Sequence, residues 1–160
     1  MTAELAAYTH QLDWVLEQHL VCVDGLTADE LVWRPPIAGA NHVSAIVAHS
    51  VAVTRAFVLG VVGGQPLKRN RPAEFETLFE SIDELAAAVE GLRAELRAID
   101  PGGFDLGASV TPGADTWGSE PDGPMQKREV MAEALRHASI HLGELRFTRG
   151  LIDAQRAARP

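Results

Sequence analysis

Apolar positions recur at helical spacing in four separate stretches of the chain. In residues 3–24, Leu5, Leu12, Leu16, His19 and Val23 share one face, and Trp14 and Val15 widen it. Thr2 is a candidate N-cap for this helix and Gly25 a natural stop. Thr27 and Glu30 have capping-box spacing and predict one helical turn over 28–32. Trp33-Arg34-Pro35-Pro36 ends it, because Pro35 pushes Arg34 out of the α region. Asn41 is the candidate N-cap of a second helix over 42–60, which Gly60 and Gly63-Gly64 terminate. Residues 65–80 read as a polar connection, basic at first (Lys68, Arg69, Arg71), with a helical turn beginning near Glu74. Ser81 and Glu84 open a third helix, in which Ile82, Leu85, Val89, Leu92, Leu96 and Ile99 make the inward stripe. Glu90, Arg93, Glu95 and Arg97 fall on its solvated side.

Residues 101–124 contain six Gly and four Pro, which excludes regular helix. Loops of this length are lids or disordered segments, and the alternation of Phe104, Leu106 and Val110 allows a short strand. The last helix spans 126–152, with Val130, Met131, Ala134, Leu135, Ala138, His141, Leu142, Leu145 and Leu151 on its buried side and a fraying tail from Ala154.

Four long helices in 160 residues predict an all-α fold, a four-helix bundle forming a single domain over 1–160. The long second and third connections leave crossover topologies open. With 46% apolar and 22% charged residues the chain can build a core without staples, so a bound metal would serve function more than folding. The net charge of −8, with no basic stripe, repels a phosphate backbone and argues against nucleic acid as a partner. Cys22 is the single cysteine, so no intrachain disulfide forms; its apolar neighbours predict a buried, inert thiol. The N-terminus lacks the basic region of a signal peptide. The weakly charged stretch from Pro35 to Val53 carries Pro, Gly, Asn and two His and does not read as a membrane span. The expected setting is the cytoplasm, with no membrane partner.

The candidate chemistry lies in the histidines. His137 and His141 are four apart, one turn along the same helix face, beside Ala134, Ala138 and Leu145. Two unpaired imidazoles in an apolar core lose hydrogen bonds to water, and a shared metal ion removes that cost. A pair of this kind is a weak signal alone, since satisfied core or surface histidines share the spacing. His49 sits among Ala45, Ile46, Ala48, Ala52, Val53 and Ala56, small neighbours that leave room for an imidazole and an ion. For His49 alone, a ring bonded to a backbone carbonyl is the simpler reading. His42 reads as a surface residue of the first turn, or as part of a pocket mouth. His10 and His19 take ordinary amphipathic positions. Trp33 and Trp117 lie in loops that border the site or, for Trp33, plug the bundle end. Arg34 and Arg146 read as solvated, with an anion-binding role as the alternative.

Two segments together resemble the DinB superfamily, which includes thiol-dependent transferases and the mycothiol-dependent maleylpyruvate isomerases. The first runs Leu26-Thr-Ala-Asp-Glu-Leu-Val-Trp33-Arg34-Pro35-Pro36, then Gly39-Ala40-Asn41-His42-Val43 to Ala48-His49. The second is His137-Ala-Ser-Ile-His141-Leu-Gly143-Glu144-Leu145-Arg146, similar to the family's His-x-x-x-His-x-Gly-Gln. The resemblance implies an up-down-down-up bundle, a homodimer, and His49, His137 and His141 as a triad holding a divalent ion, Zn or Ni. It also implies a low-molecular-weight thiol of the mycothiol kind as cosubstrate, used in transfer to, or isomerisation of, a small-molecule substrate. Glu144 departs from the pattern, which has Gln there. It reads as a solvated glutamate first, with a fourth ligand or an orienter of a ring nitrogen as alternatives.

Three neutral imidazoles with an open position match a catalytic site better than a structural one. The residue after His137 is Ala138, so the glutamate base of a zincin is missing. The competing expectation is a non-enzymatic bundle, a metal-binding or stress-response protein acting as a binding and dimerisation module. The lack of an obvious second acid or base near the triad favours that alternative.

Overall fold

The computed structural model describes residues 3–100, 102–117 and 123–158. Thr2, part of the loop over 101–124 and the last two residues of the tail lie outside them. Four long helices carry the architecture: α1 (Ala3–Val23), α3 (Val43–Arg55), α5 (Ile82–Arg97) and α7 (Lys127–Ala157). Shorter elements join them: α2 (Ala28–Val32), α4 (Arg71–Glu76), α6 (Ala114–Trp117), and an antiparallel pair of strands, β1 (Ser109–Val110) and β2 (Met125–Gln126). The fold class is the all-α bundle that the periodicity predicts.

Both α1 and α3 pack against α5 and α7, which places α1 and α3 diagonally across the bundle. The residues of the predicted stripes fill the centre: Leu5, Leu12, Leu16, Leu85, Leu92 and Leu145 are fully buried. Truncating any one to Ala costs ~2–5 kcal/mol, transfer plus cavity. Thr27 and Glu30 make the reciprocal capping box of α2, and Gly25 takes the left-handed conformation (φ 68°) that lets the chain leave α1.

Several expectations change. Asn41 does not cap α3. The helix starts at Val43, and the cap is His42, whose Nδ1 accepts from the Ala45 N–H at 3.0 Å. His42 is 2% exposed, so it is neither a surface residue nor part of the mouth of the cavity beside the histidines. Burial pushes its pKa down and keeps the ring in the accepting form. Gly60 does not end the second helix either. The chain continues beyond α3 as a π-helical run, Ala56–Val62. An added Cβ at Gly60 would stand 3.4 Å from the Thr116 methyl and 3.5 Å from Leu67 Cβ, so this glycine permits a close crossing. At Gly63, where the run ends, an added Cβ would meet the Leu59 carbonyl oxygen at 2.6 Å, so the backbone closes this tightly only with glycine.

Arg93 is also displaced from its predicted solvated face. Its side chain is 8% exposed and reaches Asp13 on α1 at 2.9 Å, joining α1 to α5. The fourth helix outruns its predicted end because Arg156 bonds Glu30 at 2.6 Å and the Gly25 carbonyl at 2.8 Å. Cys22 is half-buried, and burial pushes its thiol pKa up. The run Val43–Val62 is long and apolar enough to cross a bilayer by composition, but most of it is buried inside the bundle, as in a core helix.

Candidate metal centre

Adjacent helices α3 and α7 bring the three histidines together. Ring centroids lie 5.1 Å apart for His49 and His137, 4.9 Å for His49 and His141, and 4.5 Å for His137 and His141. One ligand nitrogen from each falls within 4.8 Å of the others. Two ~2.1 Å bonds to one ion place donors up to ~4.2 Å apart, so the cluster is close to the span that an ion requires. Fully buried Ala45, Ala134 and Ala138 share the helix faces of these histidines and leave room for the rings.

Two of the rings are held by carboxylates. His49 donates Nδ1–H to Glu74 Oε2 at 2.7 Å, and His141 donates Nδ1–H to Glu144 Oε2 at 2.9 Å. A carboxylate only accepts, so Nδ1 of each ring carries a proton and Nε2 is the nitrogen left for an ion. Carboxylate–imidazole pairs of this kind fix the tautomer and raise the basicity of a metal-binding nitrogen. The third ring, His137, has a buried Nδ1 without a hydrogen-bond partner among the described residues. Burial first, then the neighbouring His141 and His49, hold its pKa down to about 4, so it is neutral at pH 7. Three imidazoles, two of them oriented by carboxylates and one with an orphaned nitrogen, are a donor set that fits a divalent ion.

Glu144 is therefore hydrogen-bonded to His141, with 31% of its side chain still exposed. It also accepts from Asn41 Nδ2 at 3.2 Å, which explains what Asn41 does in place of capping α3. The hydrogen bond from His141 is the chief reason that its pKa is lowered.

Glu74 is the residue that sequence reasoning missed. It lies in α4, within the polar connection where the sequence suggests only a helical turn near it, and is 7% exposed. Burial acts to raise its pKa, but the hydrogen bonds from His49 and Arg69 prevail and bring it to about 2. Arg69 grips both oxygens, Nε to Oε1 at 3.0 Å and Nη2 to Oε2 at 2.8 Å. The expected lack of an obvious second acid near the triad is thus corrected by Glu74, which joins Glu144 in touching it, both already engaged.

Beside the triad lies a cavity of about 400 Å³ lined by His49, Phe57, Arg69, Arg71, Trp117, Glu133 and His137. Phe57 and Trp117 stack at 4.4 Å to form its flat apolar wall. Arg69 is committed to Glu74, and Glu133 to Arg136. Arg71 lies 5.3 Å above the Phe75 ring with no acidic partner among the described residues. Trp117 borders this cavity and Trp33 does not; Trp33 packs half-buried against the core. His10 is exposed; His19 is fully buried and bonds the Val15 carbonyl.

Comparison with known proteins agrees with this picture. The sequence model of the DinB superfamily matches residues 11–145, a span that includes all three histidines, Glu74 and Glu144. No protein of curated function matches the chain.

Proposed function

From a chain that belongs to the DinB superfamily, we propose a divalent-metal-dependent enzyme that uses a low-molecular-weight thiol for transfer or isomerisation chemistry on a small molecule. The observation that carries this reading is the meeting of three imidazoles from two helices, with two rings locked by carboxylates. His49, His137 and His141 are the proposed ligands, and the donor set suits Zn or Ni. A bound ion would supply Lewis acidity, lowering the pKa of a thiol or polarising a carbonyl. Glu74 and Glu144 hold the rings. Phe57 and Trp117 shield the cavity from water on one side, and the uncompensated charge of Arg71 favours an anionic group on the substrate.

The cytoplasm is the proposed setting, where reduced thiols are abundant. A homodimer is part of the same proposal. Exposed Trp14 and Val21 on α1 and Ile140 and Phe147 on α7 give two adjacent helices an apolar outer surface.

The test is metal analysis of wild type, His49→Ala and His141→Ala, alongside conjugation of a thiol with monobromobimane, with and without added ion. One ion per chain in the wild type, little in either variant, and turnover only with metal support the proposal. A full complement of ion in either variant contradicts the triad. One observation favours the non-enzymatic alternative: Glu74, Glu144 and Glu133 beside the triad are each already paired. That alternative predicts a less stable His49→Ala protein and no turnover in the wild type.

A further inference from the structure

We propose that Arg69 is a positioning residue that links the 114–117 turn to the orientation of His49, so that ion binding and closure of this turn over the cavity are coupled. The inference rests on the metal reading above.

The geometry converges on one guanidinium. Arg69 is only 6% exposed, and its fork spends Nε and Nη2 on Glu74, the carboxylate that holds His49. Its remaining terminal nitrogen, Nη1, donates to the Thr116 carbonyl at 3.4 Å. The backbone repeats the connection: the Arg69 N–H donates to the Asp115 carbonyl at 3.4 Å, and Thr116 Oγ1 to the Leu67 carbonyl at 3.1 Å. Trp117 follows directly and stacks on Phe57, whose ring centroid is 6.3 Å from that of His137. A displaced turn therefore withdraws a partner from Arg69, and a freed Arg69 loosens the carboxylate behind a metal-ligating ring.

The residue type suits this task. A planar guanidinium presents donors along two edges and can hold a carboxylate on one and a carbonyl on the other. A buried ion pair adds little net stability, because desolvation offsets most of the Coulomb attraction. What the fork does add is a fixed distance between its partners. Arg69 also lines both the cavity beside the triad and a second one of about 350 Å³, which it shares with Glu74 on the side of Ala48, Ala52 and Ala73. By linkage, if ion binding steadies the turn, steadying the turn raises ion affinity by the same factor.

Zn²⁺ titration by calorimetry, with acrylamide quenching of Trp117 in a Trp14→Phe/Trp33→Phe background, reads both ends. Two variants enter: Arg69→Gln, and Thr116→Val, which touches neither the triad nor Glu74. In the wild type, Zn²⁺ is expected to reduce quenching of Trp117. Arg69→Gln is expected to weaken Zn²⁺ binding by ~10–100-fold and to abolish the effect on quenching. Thr116→Val is expected to weaken binding by about threefold, the scale of one net hydrogen bond. If Arg69→Gln does not fold, as judged by circular dichroism, Thr116→Val carries the test. Zn²⁺ affinity at the wild-type level in Thr116→Val, or quenching that ignores Zn²⁺ in the wild type, overturns the coupling alone. A wild type that takes up no Zn²⁺ overturns the metal reading and the coupling with it.

Discussion

Glu144 accepts the Nδ1–H of His141 at 2.9 Å from one turn further along the same helix. Its other oxygen takes the Asn41 amide at 3.2 Å, so the carboxylate bridges α7 and the connection that leads into α3. Glu144→Ala should therefore weaken Zn²⁺ binding by ~10-fold or more, because the ring loses its orienter. Glu144→Gln should stay within about threefold of wild type, since the amide oxygen can still accept from His141 and Asn41 can turn its own oxygen to the new NH₂. Calorimetric titration of both variants checks the contrast. Equal losses would show that charge and not orientation is what matters.

His137 should reveal a conflict between stability and ion binding. Its Nδ1 is buried without a partner, a cost of ~1–3 kcal/mol. His137→Leu removes that group at similar volume. The metal-free variant is expected to be more stable than the metal-free wild type by ~1 kcal/mol, while binding no ion. Denaturant melts in the presence of a chelator, paired with metal analysis, give both values.

His19 sets a pH dependence away from the candidate centre. It is fully buried, gives its Nδ1–H to the Val15 carbonyl at 2.8 Å, and has its Nε2 unpartnered. Burial holds its folded pKa down to about 4, against 6.5 when unfolded. Its contribution to stability is thus fully present above about pH 6.5 and is lost as pH falls through about 4, some ~3 kcal/mol in all. Unfolding free energies at pH 7 and pH 4 should differ by ~3 kcal/mol less in His19→Leu than in the wild type. Parallel profiles for the two proteins would refute this.

The His42 cap offers a stability test at the start of the helix that carries His49. His42→Ala leaves the Ala45 N–H without its acceptor and should destabilise the protein by ~1–2 kcal/mol. His42→Ser should recover part of this, because a hydroxyl can accept in the same place. Denaturant midpoints at neutral pH measure it.

The helices were legible because leucines at three- and four-residue spacing have few other uses. His137 and His141 were legible for the same reason: one helix fixes both rings, whatever the tertiary fold. Glu74 was not legible. It meets His49 across 25 positions of sequence, and its neighbours carry no pattern that distinguishes a buried acid from a solvated one. Asn41 and His42 changed places as cap because an imidazole is outside the usual set of capping side chains, whereas asparagine is within it. Gly60 misled in a different way. Glycine serves equally as a stop and as a point of close approach, and only Thr116 and Leu67, brought in from elsewhere, decide which.

Among the described helices, the run Val43–Val62 alone is long and apolar enough to span a bilayer, with a mean hydropathy of 1.9. Its cover is supplied mainly by α7, with α4 and α5 after it, and all three are synthesised later. A nascent chain therefore holds its stickiest segment bare until the last helix has emerged, the condition in which intermolecular association competes with folding. Substitutions that loosen α7 should lower the yield of native protein through aggregation before they alter any chemistry at the histidines.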